Sequence, residues 1–177
     1  EILTGEQKEV SGKALEWGSN NEIHAQNEYA FEKGVKVEEV GICLTDDKLI
    51  GASPDGFVGE HKLIEIKRPF AQRDKNPPVF KSINEQPHYY AQIQVQLYVT
   101  GRAQCDFFQW SQHGTKLEVV DLDLEWLEQN LPDLELFHQE YLNTLEVKAL
   151  RELHLEPPLK EITTLDCAKL LDEYDEL

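Results

Sequence analysis

Five consecutive residues, Leu63-Ile64-Glu65-Ile66-Lys67, constrain this chain more than any other stretch. The run is apolar enough for a strand inside a sheet, yet it carries an acid and a base two positions apart. Strand side chains alternate between faces, so Glu65 and Lys67 share one face while Ile64 and Ile66 turn to the opposite, core face. A second carboxylate, Asp55, stands ten residues before Glu65 within Ser53-Pro54-Asp55-Gly56, where proline and glycine mark a turn. A hairpin joining the two segments would bring Asp55, Glu65 and Lys67 together.

That set suits one chemistry. Hard cations such as Mg²⁺ take oxygen ligands, commonly one or two carboxylates plus a substrate phosphate. Asp55 and Glu65 are suitable ligands, and the backbone carbonyl of Ile66 adds a third oxygen. A cation so held makes hydroxide from water and offsets charge on a scissile phosphate. Lys67 would orient or deprotonate the attacking water, or stabilise the developing charge. The competing interpretation is a surface Glu65–Lys67 pair with Asp55 as an ordinary turn residue.

Charge at first argues against a nucleic-acid substrate, because the net value is −17 and phosphate attracts Lys and Arg. The acid is unevenly spread. Residues 1–120 carry 18 acidic and 13 basic side chains, whereas residues 121–177 carry 16 and 4. Just after the motif, Lys67, Arg68, Arg73, Lys75 and Lys81 face a single acid, Asp74. Local charge is what a ligand meets. No apolar run approaches the roughly 20 residues that span a bilayer, and no leader opens the sequence, so a cytoplasmic protein without a membrane partner is expected. Cys43, Cys105 and Cys167 lack pairing spacing and read as reduced thiols. The six histidines do not cluster at metal-ligand spacing; only His88 lies near the motif.

Periodicity predicts a helix over 6–33, stopped by Gly34 and broken or kinked near Trp17–Asn20. Strands follow over 35–44, 49–52, 56–58 and 63–67. The segment 72–86 reads as a long polar loop, of a kind that is often functional. A helix over 88–99 lies behind Pro87, a hairpin joins 106–111 to 116–122, and a second long helix covers 123–150 around Pro132. One domain over 1–150 and an acidic tail over 151–177 are expected. The order of elements gives an α/β or α+β fold around one sheet.

Pro54-Asp55 with Glu65-Ile66-Lys67 resembles the PD-(D/E)xK nuclease pattern. Lys13-Ala14-Leu15-Glu16-Trp17-Gly18, Glu22, Lys67-Arg68-Pro69-Phe70 with Arg73-Asp74, and Ala91-Gln92-Ile93-Gln94 narrow the likeness to bacteriophage lambda exonuclease and the YqaJ-like viral recombinases. The resemblance runs from about Ile2 to Val120. It implies a restriction-endonuclease-like fold, a central mixed sheet flanked by helices. It implies a 5′→3′ exonuclease on linear duplex DNA that leaves 3′ overhangs for phage-type recombination. Two Mg²⁺ ions, replaceable by Mn²⁺, a homotrimeric ring and a single-strand annealing recombinase as partner are further implications. By resemblance Glu22 completes the metal site and Gln92 lines it. Gln96, four residues on, shares that helical face, and Tyr89 lies near it. Ser53 with Gln92 would meet a terminal 5′ phosphate. Leu15 is either a strand-separating wedge or a core leucine. Arg73 would lie close to the DNA backbone, with Lys13, Arg68, Lys75 and Lys81 as further lining. Family members carry an additional N-terminal stretch, with an arginine in the 5′-phosphate pocket, ahead of where this sequence opens. A restriction- or repair-type endonuclease and a non-catalytic DNA-binding module are the alternatives.

Overall fold

In the computed structural model the described residues are 12–150. The chain divides into two compact units. The described residues 12–138 hold the sheet and every residue discussed below. The second unit takes in the chain from Gln139 on, and its described part continues the last helix to Glu146. The expected tail, 151–177, lies outside the described residues, as do the first residues of the expected N-terminal helix and Cys167.

Two helices open the described chain, α1 (Lys13–Asn20) and α2 (Glu22–Lys33). The break expected near Trp17–Asn20 in the helix over 6–33 falls at Asn21, whose amide Nδ2 donates to the Trp17 carbonyl at 2.8 Å. The Asn21 backbone N–H donates to the same carbonyl at 3.2 Å, so residue and side chain together close the end of α1. Gly34 then stops α2 in the left-handed conformation, at φ 63°.

A two-stranded ribbon, β1 (Cys43–Leu44) with β2 (Gly51–Ala52), precedes the main sheet. That sheet has the order β3 (Gly56–Val58), β4 (Lys62–Lys67), β5 (Gln104–Ser111), β6 (Gly114–Asp121). β3–β4 and β5–β6 are antiparallel, and β4–β5 is parallel. A parallel pair needs a crossover; here α3 (Pro87–Thr100) supplies it. The last helix, α4 (Leu124–Glu146), accommodates Pro132 inside it.

The strand expected over 35–44 exists only at Cys43–Leu44. Val35 and Val37 are instead packed against the core, and Glu38 makes one isolated bridge to Phe57. This segment passes so closely over β3 that a Cβ at Gly56 would stand 2.4 Å from Val37 Cγ1 and 3.1 Å from the Glu38 carbonyl. Only glycine fits at position 56. The segment is therefore a strap, held by packing and by the single pair of backbone hydrogen bonds between Glu38 and Phe57, both 2.9 Å, and it does not go on into a ladder.

The sheet is buried on both faces. On one, Ile64, Ile66, Phe108, Trp110 and Val58 pack with Ala25 and Tyr29 of α2. On the other, Leu63, Cys105, Phe107 and Val120 pack with Ile93 and Leu97 of α3. The expectation of one core face, that of Ile64 and Ile66, therefore needs correction. Glu65 also points into packed protein, toward α3, and is buried. A strand buried on both faces reads as the near-continuous apolar run seen in 63–66.

Candidate active site

The site grows from the open end of the β3–β4 hairpin. Gly56 pairs with Ile64, and the Asp55 amide donates to the Ile64 carbonyl at 3.2 Å. One step beyond, the ladder is continued by a side chain: the Ile66 amide donates to Asp55 Oδ2 at 2.6 Å. A strand residue presents its N–H and C=O to the same edge, so the Ile66 carbonyl faces the Asp55 side of β4. Asp55 thus takes its place through backbone pairing.

Glu65 and Lys67 share the α3 face, as their spacing requires, and α3 meets them with two glutamines. Gln92 Nε2 donates to Glu65 Oε1 at 2.9 Å, and Gln96 Nε2 donates to Glu65 Oε2 at 2.7 Å. Lys67 Nζ donates to Glu65 Oε1 and, at 3.2 Å, to Gln92 Oε1. The same ammonium lies 4.4 Å from the centre of the Tyr89 ring, within cation–π range. Gln92 and Gln96 thus hold the acid–base pair in place. The sequence pointed to their shared face; the burial of Gln96 comes from the packing of α3 on the sheet.

A cleft of about 280 Å³ opens here, lined by Asp55, Glu65, Ile66, Lys67, Arg68 and Tyr89, with Gly18, Gln86 and Gln109 among its other walls. Gln86 and Gln109 were not among the expected residues. Gln109 pairs with Lys67 across the parallel ladder, a register with no signature in either strand's own sequence. Burial, with Glu65's charge second, pushes the Asp55 carboxyl up to about 6, against the opposing pull of the Ile66 amide, Lys67 and Arg68. Two acids confined beside each other in this way favour a shared cation.

Other expected residues fall at varied distances from this centre. Among the described residues no three His, Cys, Asp or Glu side chains gather as a metal cluster. Glu22, at the start of α2, is largely exposed and faces Arg68, its Oε2 lying 3.6 Å from the guanidinium. Ser53 is exposed beside the cleft, and its carbonyl accepts from Gln96 Nε2 at 3.3 Å. Ser53 and Gln92 line one hollow of about 500 Å³ with His88 and Trp126. Leu15 is 55% exposed on α1, so it is not a core leucine. Lys13, Lys75 and Lys81 are exposed. Arg73 is occupied within its own turn: it donates to the Phe70 carbonyl at 2.9 Å, pairs with Asp74 at 3.0 Å and stacks over the Phe70 ring.

Residues 1–103, which contain all of these groups except Gln109 of β5 and Trp126 of α4, match the YqaJ-like viral recombinase domain. The chain belongs to this family. The fold agrees. The alkaline exonuclease LHK-Exo of Laribacter hongkongensis is similar with a TM-score of 0.62 and 28% identity, over 96% of this chain and 80% of that one. Its complex with dAMP is similar at a TM-score of 0.64 and 29% identity. A phage related exonuclease from Haemophilus somnus 129PT shares the fold, with a TM-score of 0.65 at 13% identity over 82% of this chain and 77% of that one. The uncharacterized protein R354 of Acanthamoeba polyphaga mimivirus is 34% identical over an alignment of 119 residues, with coverage of 55% of this chain and only 22% of that relative. The mixed sheet flanked by helices is the expected one. In this YqaJ-like domain Asp55 precedes the first strand of one hairpin, and Glu65 and Lys67 stand at the end of its second.

The raised Asp55 carboxyl has a measurable consequence. The folded metal-free protein binds this proton more tightly than the unfolded chain does. Its contribution to stability is therefore present at low pH and lost as pH rises toward about 6. Cation binding runs the other way, since it needs the ionised carboxylate. The rise in melting temperature caused by Mg²⁺ is expected to be small at pH 5 and to grow through pH 6 to pH 7, and to be absent in Asp55→Asn at every pH. An equal Mg²⁺ shift at pH 5 and pH 7, measured by calorimetry, would contradict the assignment.

Proposed function

We propose that this chain is a metal-dependent deoxyribonuclease that digests one strand of linear duplex DNA from its 5′ end and leaves a 3′ overhang. The observation that carries this reading is the meeting of Asp55, Glu65 and Lys67 around the Ile66 edge of β4. Kinship supports it: LHK-Exo is an alkaline exonuclease, and its complex with dAMP fits a nuclease that releases nucleoside monophosphates. The donor set is all oxygen, which suits Mg²⁺, with Mn²⁺ as a substitute, and not thiophilic metals. Asp55, Glu65 and the Ile66 carbonyl would hold the ion, with Glu22 at the outer end of the site for a second one. When bound, the ion supplies hydroxide from water and offsets phosphate charge.

The chain's own residues do the rest. An ammonium has three N–H donors; Glu65 and Gln92 take two of those on Lys67. The third is left for the attacking water or a phosphate oxygen, with Tyr89 limiting where the ammonium can move. Gln92 reaches both this pair and the hollow it shares with Ser53, which makes Ser53 and Gln92 a fitting seat for a terminal 5′ phosphate. Exposed Leu15 and Lys13 on α1 suit a wedge and a backbone contact at the strand fork. The nuclease domain is read as residues 1–150 and the acidic segment 151–177 as an appendage. A homotrimeric ring threaded by DNA and a single-strand annealing partner follow from the family reading. No described helix is long and apolar enough to cross a membrane, and a cytoplasmic site of action is proposed.

The test is a time course on linear duplexes that differ only in 5′ phosphorylation, with Mg²⁺ or EDTA. Mononucleotide release from the phosphorylated end, abolished by EDTA, is expected. Cleavage of covalently closed circles at a comparable rate would replace the exonuclease with an endonuclease. Binding without any cleavage would leave only a DNA-binding module.

A further inference from the structure

Arg68 is the one described arginine whose donors are not used. Arg73 spends its guanidinium on the Phe70 carbonyl, Asp74 and the Phe70 ring. Arg102 donates to the Gly59 and Lys62 carbonyls at 2.8 and 2.7 Å and stacks over Phe57. The Arg68 side chain is only 14% exposed, and its Nε and Nη1 are buried with no hydrogen-bond partner. Its Nη2 lies 3.6 Å from Glu22 Oε2, and the Glu22 side chain is 62% exposed. Such a pair is too long for a hydrogen bond and is well screened by solvent, so it offsets little of the cost of burying a guanidinium. A buried ion with unmet donors destabilises a fold. Its retention calls for an acceptor that arrives from outside.

The position of Arg68 narrows what that acceptor is. Arg68 follows Lys67 and turns to the other side of β4, toward α2, yet it lines the same cleft as Asp55, Glu65 and Lys67. The two cations therefore bracket the carboxylate pair from the two faces of the sheet. An anion entering this cleft is repelled by Asp55 and Glu65 and needs compensation on both flanks. A guanidinium presents several donors in a fixed plane, matched to the oxygens of a phosphate.

We infer that Arg68 is the phosphate clamp of this cleft, its guanidinium turning from the long Glu22 contact toward the cleft so that its unmet nitrogens, buried in the free protein, bind a non-bridging oxygen of the phosphodiester that Asp55 and Glu65 flank. This rests on the nuclease reading of the cleft and adds to it a specific contact. Arg68 meets one phosphate at the point of cleavage, whereas Lys75 and Lys81, exposed on the loop, can meet only the backbone at large.

The test uses equilibrium binding in Ca²⁺, without turnover, of short 5′-phosphorylated duplexes. A neutral methylphosphonate replaces each of the first few linkages in turn. The wild-type protein is expected to lose about tenfold in affinity at one linkage, the size of one charge-assisted hydrogen bond. Arg68→Ala is expected to erase that penalty at that linkage and keep it at the others, and Arg68→Lys to restore only part of it. The melting temperature of free Arg68→Met should match or exceed that of wild type, because an unpaired buried charge has gone. Should Arg68→Ala not fold, Arg68→Lys and Arg68→Gln carry the comparison. A wild-type penalty that persists unchanged in the Arg68 variants overturns the clamp and leaves the nuclease reading intact. Absence of any penalty in the wild-type protein means that no phosphate sits in the cleft, and the nuclease reading fails with it.

Discussion

Asp55→Asn and Glu65→Gln are expected to lower the rate of DNA cleavage by more than about 10³-fold, beyond what loss of a single preorganised donor costs, with the fold retained. Asparagine at 55 keeps an oxygen for the Ile66 amide, and it removes the charge that Glu65 opposes. Alanine is the worse probe at 65. Glu65→Ala would strip Gln92 and Gln96 of acceptors in a buried place, at about 1–3 kcal/mol for each unsatisfied group. The alanine variant should therefore melt several degrees lower as well as lose activity, and the glutamine variant separates the two effects. Turnover near the wild-type level in either amide variant, at physiological Mg²⁺ and with an unchanged melting temperature, would remove these residues from the ion site.

Lys67→Ala is expected to cut turnover by about 10²–10³-fold while duplex affinity in Ca²⁺ changes by only a few-fold. The reason is geometric. Two of its three donors are spent on Glu65 and Gln92, so it offers the substrate a single, fixed hydrogen bond. A contact that matters most in the transition state appears in the rate and not in ground-state binding. Affinity and rate falling in parallel in a gel-shift and cleavage comparison would make Lys67 an ordinary phosphate contact. Lys67→Ala also leaves the Gln92 oxygen without its lysine partner, so a modest loss of stability should accompany the loss of rate.

Lys67 and Arg68 show why adjacent cations need separate tests. Both are basic and both line the cleft. One is held by hydrogen bonds from the α3 side; the other faces α2 with two nitrogens unmet. Neutralising the first should affect the chemical step. Neutralising the second should affect recognition of one phosphate.

The centre of this site was legible in the sequence because it rests on local rules. The alternation of a strand places Glu65 and Lys67 together whatever the rest of the chain does. Proline and glycine around Asp55 announce a turn, and a turn followed by a short strand makes a hairpin. Gly34, Pro87 and Gly101 bound their helices for reasons contained in their own backbones. The resemblance to the YqaJ-like family rested on Asp55, Glu65 and Lys67 together with the segments around Trp17, Arg68 and Gln92, and the family match over 1–103 agrees with it.

What only the tertiary structure decided depends on elements distant in sequence. Val35–Leu44 has strand-like composition, but most of it never meets a partner strand, and it became a strap over Gly56. Both faces of β4 are covered, because α2 arrives on one side and α3 on the other; one strand's pattern cannot announce how many neighbours will pack on it. The parallel register that sets Gln109 beside Lys67 belongs to a crossover of some forty residues. Arg73, expected close to the DNA backbone, has its guanidinium engaged within its own turn, while Arg68, indistinguishable from it by composition, is buried with two nitrogens unmet. Charge is written in the sequence, but the partners that satisfy it are assigned by packing, and the unsatisfied remainder is visible only after the chain has folded.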